Sequence, residues 1–121
     1  MKIIKIRSDI QTFLESKTEN VYYEKADKGA LYPHVVFDLV NSTDDGTMER
    51  FVLEIDGWDD KEDTTDLETM MSVIDKGLHK RTVVVDDISL TFYRENRLTV
   101  HDDNPQIKRR QYVYQVRVYG E

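Results

Sequence analysis

Residues 50–80 read RFVLEIDGWDDKEDTTDLETMMSVIDKGLHK, and two changes of pattern inside them decide the fold class. Phe51, Leu53, Ile55 and Gly57 alternate with Val52, Glu54, Asp56 and Trp58. A period of two is that of a strand with one face buried. Asp59-Asp60-Lys61-Glu62-Asp63 contains no apolar residue and reads as a solvated turn. Leu67, Met70, Met71, Ile74 and Leu78 then fall on one stripe of a helix. Thr65 with Glu68 three residues later reads as a capping box that starts it.

Upstream, Ile3, Ile6, Ile10, Phe13 and Leu14 predict a helix over 3–17. Asn20 to Glu24 is a short strand candidate, and Asp27-Lys28-Gly29 a turn. Pro33 forces Tyr32 into an extended conformation ahead of a strand from His34 to Val40. On that strand Val35, Phe37 and Leu39 share a face. Asn41 to Gly46, ending in Asp-Gly, predicts a hairpin that makes this strand and the Phe51 strand antiparallel neighbours.

Downstream, Arg81–Val85 and Ile88–Arg94 are strand-like, with a kink at Asp86-Asp87, and Gln111–Tyr119 is the last strand. Asp102-Asp103-Asn104-Pro105 is a turn cluster. Residues 88–101 and 106–119 therefore make either one long hairpin or two shorter strands around a flexible loop. Strands that long span roughly 45 Å, more than a core of this size needs, so the outer half would be an arm. The expectation is an α+β fold: a mostly antiparallel sheet of about four to five strands, with two helices packed on it and a long C-terminal β-hairpin or loop.

The chain has 121 residues, the length of one domain covering 1–121. Its formal charge of −7 argues against general duplex-DNA binding, which needs a clustered excess of Lys and Arg. With no cysteine, disulfides and thiolate zinc sites are excluded. No apolar run long enough to span a membrane occurs, and the N-terminus lacks a signal-peptide core, so a cytoplasmic origin is expected.

Few constellations carry chemistry. Asp56, Asp59, Asp60, Glu62, Asp63, Asp66 and Glu68 offer oxygen ligands to a hard cation. Acidic residues before and within the first turn of a helix also complement its dipole, which is the stronger account. Residues 41–46 imitate the front of an EF-hand loop, but Val52 stands where the bidentate Glu must be. His34, His79 and His101 lie on different elements, no G-x-S-x-G surrounds a serine, and no glycine-rich phosphate loop occurs. Enzyme activity, a cofactor and a metal site are not expected.

One basic patch stands out, Lys108-Arg109-Arg110, with Arg97 across the hairpin and the apolar Leu98, Val100 and Ile107 nearby. It reads either as edge-strand protection or as a docking surface for an acidic face, such as Asp59 and Asp60 of a second copy. Head-to-tail contacts of that kind make rings when the rotation closes.

The strand ending Glu54-Ile55-Asp56-Gly57-Trp58-Asp59-Asp60 leads into Asp63-Thr64-Thr65-Asp66-Leu67-Glu68. A helix ending Val73-Ile74-Asp75-Lys76-Gly77-Leu78-His79 follows. With Tyr32-Pro33-His34-Val35-Val36-Phe37 before this unit and Tyr112–Tyr119 after it, the chain resembles the tail terminator, or tail-to-head joining, proteins of long-tailed bacteriophages. The resemblance covers nearly the whole chain in element order. It implies a virion protein without catalytic residues, present in the host cytoplasm during assembly. Such proteins form a hexameric ring on the tail tube, can be monomers when free, and meet the tube protein on one side and the head connector on the other. DNA passes through without specific binding. A head-completion adaptor, or a small cytoplasmic domain that binds a peptide or ligand at its sheet, are the alternative readings.

Overall fold

The structure, a computed structural model, describes residues 2–120. In chain order the elements are α1 (Lys2–Glu15), β1 (Val21–Tyr23), β2 (His34–Asp44), β3 (Glu49–Asp59), α2 (Thr65–Leu78), β4 (Thr82–Val85), β5 (Ile88–His101) and β6 (Lys108–Tyr119). The strands form one sheet in the order β1-β2-β3-β6-β5-β4. Neighbours are antiparallel except β1 and β2, which are parallel. The α+β class is as expected. The sheet has six strands rather than four to five, because the short candidates β1 and β4 both join it as edges.

The alternation in β3 sorts its side chains between the two faces of the sheet. Phe51, Leu53 and Ile55 are buried with Val35 and Phe37 of β2, Tyr114, Val116 and Val118 of β6, and Ile88, Leu90 and Phe92 of β5. Ile6, Ile10 and Leu14 of α1 and Leu67, Met71, Ile74 and Leu78 of α2 complete this core. Both helices therefore cover the same face. Gly57 lets α2 approach, since a Cβ there would lie 2.6 Å from Met71 Sδ. The two helices meet at Gly77, where a Cβ would lie 3.0 Å from Phe13 Cζ.

Polar contacts tie the layers together. Arg81, just before β4, donates from Nη1 and Nη2 to Asp9 of α1 at 2.8 and 3.1 Å. Asp75 of α2 accepts from the Tyr114 hydroxyl and from Arg94 Nη1, both at 2.6 Å.

Several expectations need correction. The capping box does not form: Thr64 is the N-cap residue and makes no side-chain cap bond. Asp63 Oδ1 instead accepts from the Thr65 N–H and hydroxyl, and Glu68 turns away to Arg110. The β2–β3 turn takes residues 45–48, with Asp45 Oδ1 accepting from the N–H groups of Thr47 and Met48. The long hairpin is formed, but its outer half is no free arm. Strand β6 lies between β5 and β3 along its whole length, from Glu49↔Val118 to Asp59↔Lys108. Asp59 is also not solvated; it ends β3 with 0% exposure.

Candidate assembly surface

Pairing across β3, β6 and β5 brings most of the sequence-selected residues to one end of the sheet. Asp59 faces Lys108, Trp58 faces Arg109, and Gly57 faces Arg110. On the other side Lys108 faces His101, Arg109 faces Val100, Arg110 faces Thr99, and Gln111 faces Leu98. Arg97 lies further along, opposite Tyr112, with its guanidinium 5.9 Å from that ring's centroid.

The strand period splits the basic run. Lys108 and Arg110 point to the helix side, and Arg109 to the helix-free face. Arg110 Nε donates to Glu68 of α2 at 2.9 Å. Lys108 Nζ donates to the Pro105 carbonyl at 2.7 Å. Arg109 Nε donates to Asp56 at 3.2 Å, with its guanidinium 4.7 Å from the Trp58 ring. Burial pushes the Asp56 carboxyl above its usual range, against the pull of Arg109. Arg109 and Arg110 thus have acidic partners within their own chain. Leu98 is 41% exposed, Val100 and Ile107 are half-buried, and Asp60 is exposed. Asp59 Oδ1 accepts from the Asp60 N–H at 2.9 Å, while its buried Oδ2 has no partner among the described residues.

Sequence reasoning missed a second feature, on the helix-free face. The segment after β1, which contains a cis Tyr32-Pro33 peptide, folds over the ends of β2 and β3. It leaves a trough of about 650 Å³ lined by Tyr32, His34, Asp56, Trp58 and Arg109 among others. The His34 ring stacks near Trp58 at 6.3 Å between centroids and meets Tyr32 at 5.0 Å and Tyr22 at 6.0 Å. His34 Nδ1 lies 3.2 Å from the Leu31 carbonyl. The available signal was the aromatic spacing in Tyr22, Tyr32, His34 and Trp58, which only the β1–β2 and β2–β3 registers bring together.

Burial among these rings lowers the His34 pKa from its ordinary 6.5. The folded protein then binds fewer protons than the unfolded chain just below that pH, so stability falls on acidification through this window. Urea midpoints at about pH 7 and about pH 5.5 are expected to show that loss, and His34→Gln to flatten it. An unchanged slope in the variant would assign the dependence to other groups.

Among the described residues, no cluster of three or more His, Asp or Glu is placed to hold a metal ion. No family model matches the chain. No curated protein matches it either. Its fold is similar to that of a solved chain from the virion of a native gene transfer agent particle, with a TM-score of 0.65 and 13% identity. The match covers 98% of this chain and 91% of that one.

Proposed function

We propose that this chain is a structural protein of a phage-like virion. Copies assemble as a ring, hexameric by the family resemblance, that ends the tail tube and receives the head connector. The observation that carries this reading is the fold shared over nearly the full length of a virion chain. The element order and the Trp58-Asp59-Asp60 unit point the same way. A net charge of −7 suits a channel that lets DNA pass without gripping its phosphates. In this reading Arg97, Leu98, Val100, Ile107, Lys108, Arg109 and Arg110, with Asp60, belong to a docking surface at one end of the sheet; Asp59, with no exposure, lies beneath that surface and not in it.

Deleting the gene from the element that encodes it is expected to leave filled heads beside detached tails of abnormal length in electron micrographs of the lysate. Normal, infectious particles would overturn the proposal. The trough beside Trp58 supports a second reading, a binding domain for a small ligand or peptide, because it is concave and combines aromatic walls with Asp56 and Arg109. Saturable quenching of Trp58 fluorescence by a ligand, with normal particles in the deletion, would favour it.

A further inference from the structure

We infer that copies of this chain join edge to edge, the outer half of β5 in one pairing with the outer half of β2 in the next. The inference rests on the ring reading above and specifies its joint. On one side of the sheet, β1 covers β2 only at Val35–Phe37, and the Glu24 N–H closes that cover on the Phe37 carbonyl. On the other side, β4 covers β5 only at Ile88–Thr91. The next N–H groups of β5 that face that side, those of Phe92 and Arg94, donate to the Arg81 carbonyl and to His79 Nδ1. Beyond these points the outer sides of Asp38–Asp44 of β2 and Glu95–His101 of β5 have no neighbouring strand among the described residues.

These two open edges match. Each is seven residues long, and neither contains proline or lysine, two usual blockers of unwanted pairing. Each presents an exposed apolar side chain, Val40 on one and Leu98 on the other. Asp38 and Asp44 make the β2 stretch acidic, whereas Arg97 offsets Glu95 on the β5 stretch, and the Glu95 carboxylate already accepts from Gln115. Three antiparallel steps separate β2 from β5, so the two run in opposite directions. A second copy in the same orientation therefore offers an antiparallel partner.

Placing Asn96 beside Thr43 and Leu98 beside Asn41 fixes the joint, since each pair shares a face. The registers put Leu98 and Asn41 on the helix-free face. Strand β4 of one copy lies beyond Asp44 of the next, and β1 of that copy, which covers Phe37, is reached at the level of His101 of the first, so the short edge strands stop the joint at both ends. Within one chain Leu98 is level with Val36, and Val36 and Asn41 face Asp56 and Val52 across the bulge at Val40, so each copy is displaced by four residues of β3, roughly 13 Å along the strands. A constant stagger is what lets tilted strands close on themselves.

The native chain has no cysteine, which makes cross-linking clean. Asn41 and Leu98 are both exposed, so cysteine at either leaves the core intact. Under mild oxidation of concentrated protein, the Asn41→Cys/Leu98→Cys double variant is expected to give a ladder of covalent multimers, while each single variant stops at the dimer. Ser8→Cys/Val73→Cys, at exposed positions on the two helices, is the control. If multimers are seen by sedimentation but this control cross-links as well as the edge pair, the joint is elsewhere and the ring survives. A protein monomeric at every concentration, with no ladder from the edge pair, would overturn the edge joint, whereas the ring reading, which allows a monomer when free, falls only to normal particles in the gene deletion.

Discussion

Replacing Asp75 by alanine is expected to destabilise the fold by about 3 kcal/mol, because the removed carboxylate serves two buried or partly buried donors at once. Tyr114 is fully buried, and its hydroxyl donates to Asp75 Oδ1. Burial and the adjacent carboxylate push that hydroxyl's pKa far above the tyrosine range, so it remains a donor at any accessible pH. Arg94 meets the other carboxylate oxygen. One residue of α2 thereby holds both strands of the long hairpin. Alanine strands a buried hydroxyl and a largely covered guanidinium, and an orphaned donor costs more than a hydrogen bond contributes. The urea midpoint measures the loss. Adding Tyr114→Phe to the alanine variant removes one orphan and is expected to restore part of it. Additive losses would show that the three groups are not coupled.

The second large effect is expected at Gly57. Valine there should cost about 3 kcal/mol, since overpacking a filled interior forces side chains and backbone to shift. A Cβ would lie 2.6 Å from Met71 Sδ and 3.1 Å from both Leu67 Cδ1 and Met70 Cε. Gly57 is in the middle of the sheet, paired with Val35 and Arg110, so β3 cannot retreat. The thermal midpoint is expected to fall by on the order of 10 °C, and less for Gly57→Ala, for which flexible methionine atoms can give way. Met71→Ala should partly rescue the valine variant. Equal midpoints in all three proteins would mean that α2 floats over the sheet without a fixed height.

Local pattern made much of this fold legible. The period of two in β3 and the helical stripe from Leu67 to Leu78 describe the central unit, and the residues the pattern selects are buried except Met70, which is partly buried at the margin of the core. The two apolar runs around Asp102–Pro105 leave a long hairpin and a flexible loop both open, and the β5–β6 register decides for the hairpin. What local pattern does not carry is which strands lie side by side. That β6 inserts between β5 and β3 depends on pairing residues as distant as Glu49 and Val118. This insertion turns the expected arm into continuous sheet. It also explains Asp59, which composition places in a wet turn but which continues the inward face of Phe51, Leu53 and Ile55. The same period, applied to Lys108-Arg109-Arg110, would have divided the basic patch between two faces, but its partners Glu68 and Asp56 emerge only from the three-dimensional register. The aromatic trough was invisible because its walls come from separate strands and a loop.

The insertion of β6 also sets a timetable for synthesis. About 60 residues separate the end of β3 from the end of β6, the strand it pairs with. At roughly 5–20 residues per second, a translating chain waits on the order of several seconds between making the two. During that interval the β2–β3 hairpin has one edge with no partner, and the edge carries Phe51, Leu53 and Ile55. Polysomes bring such hairpins close together. The last strand to be made is therefore the one that ends the chain's exposure to its neighbours on the same messenger.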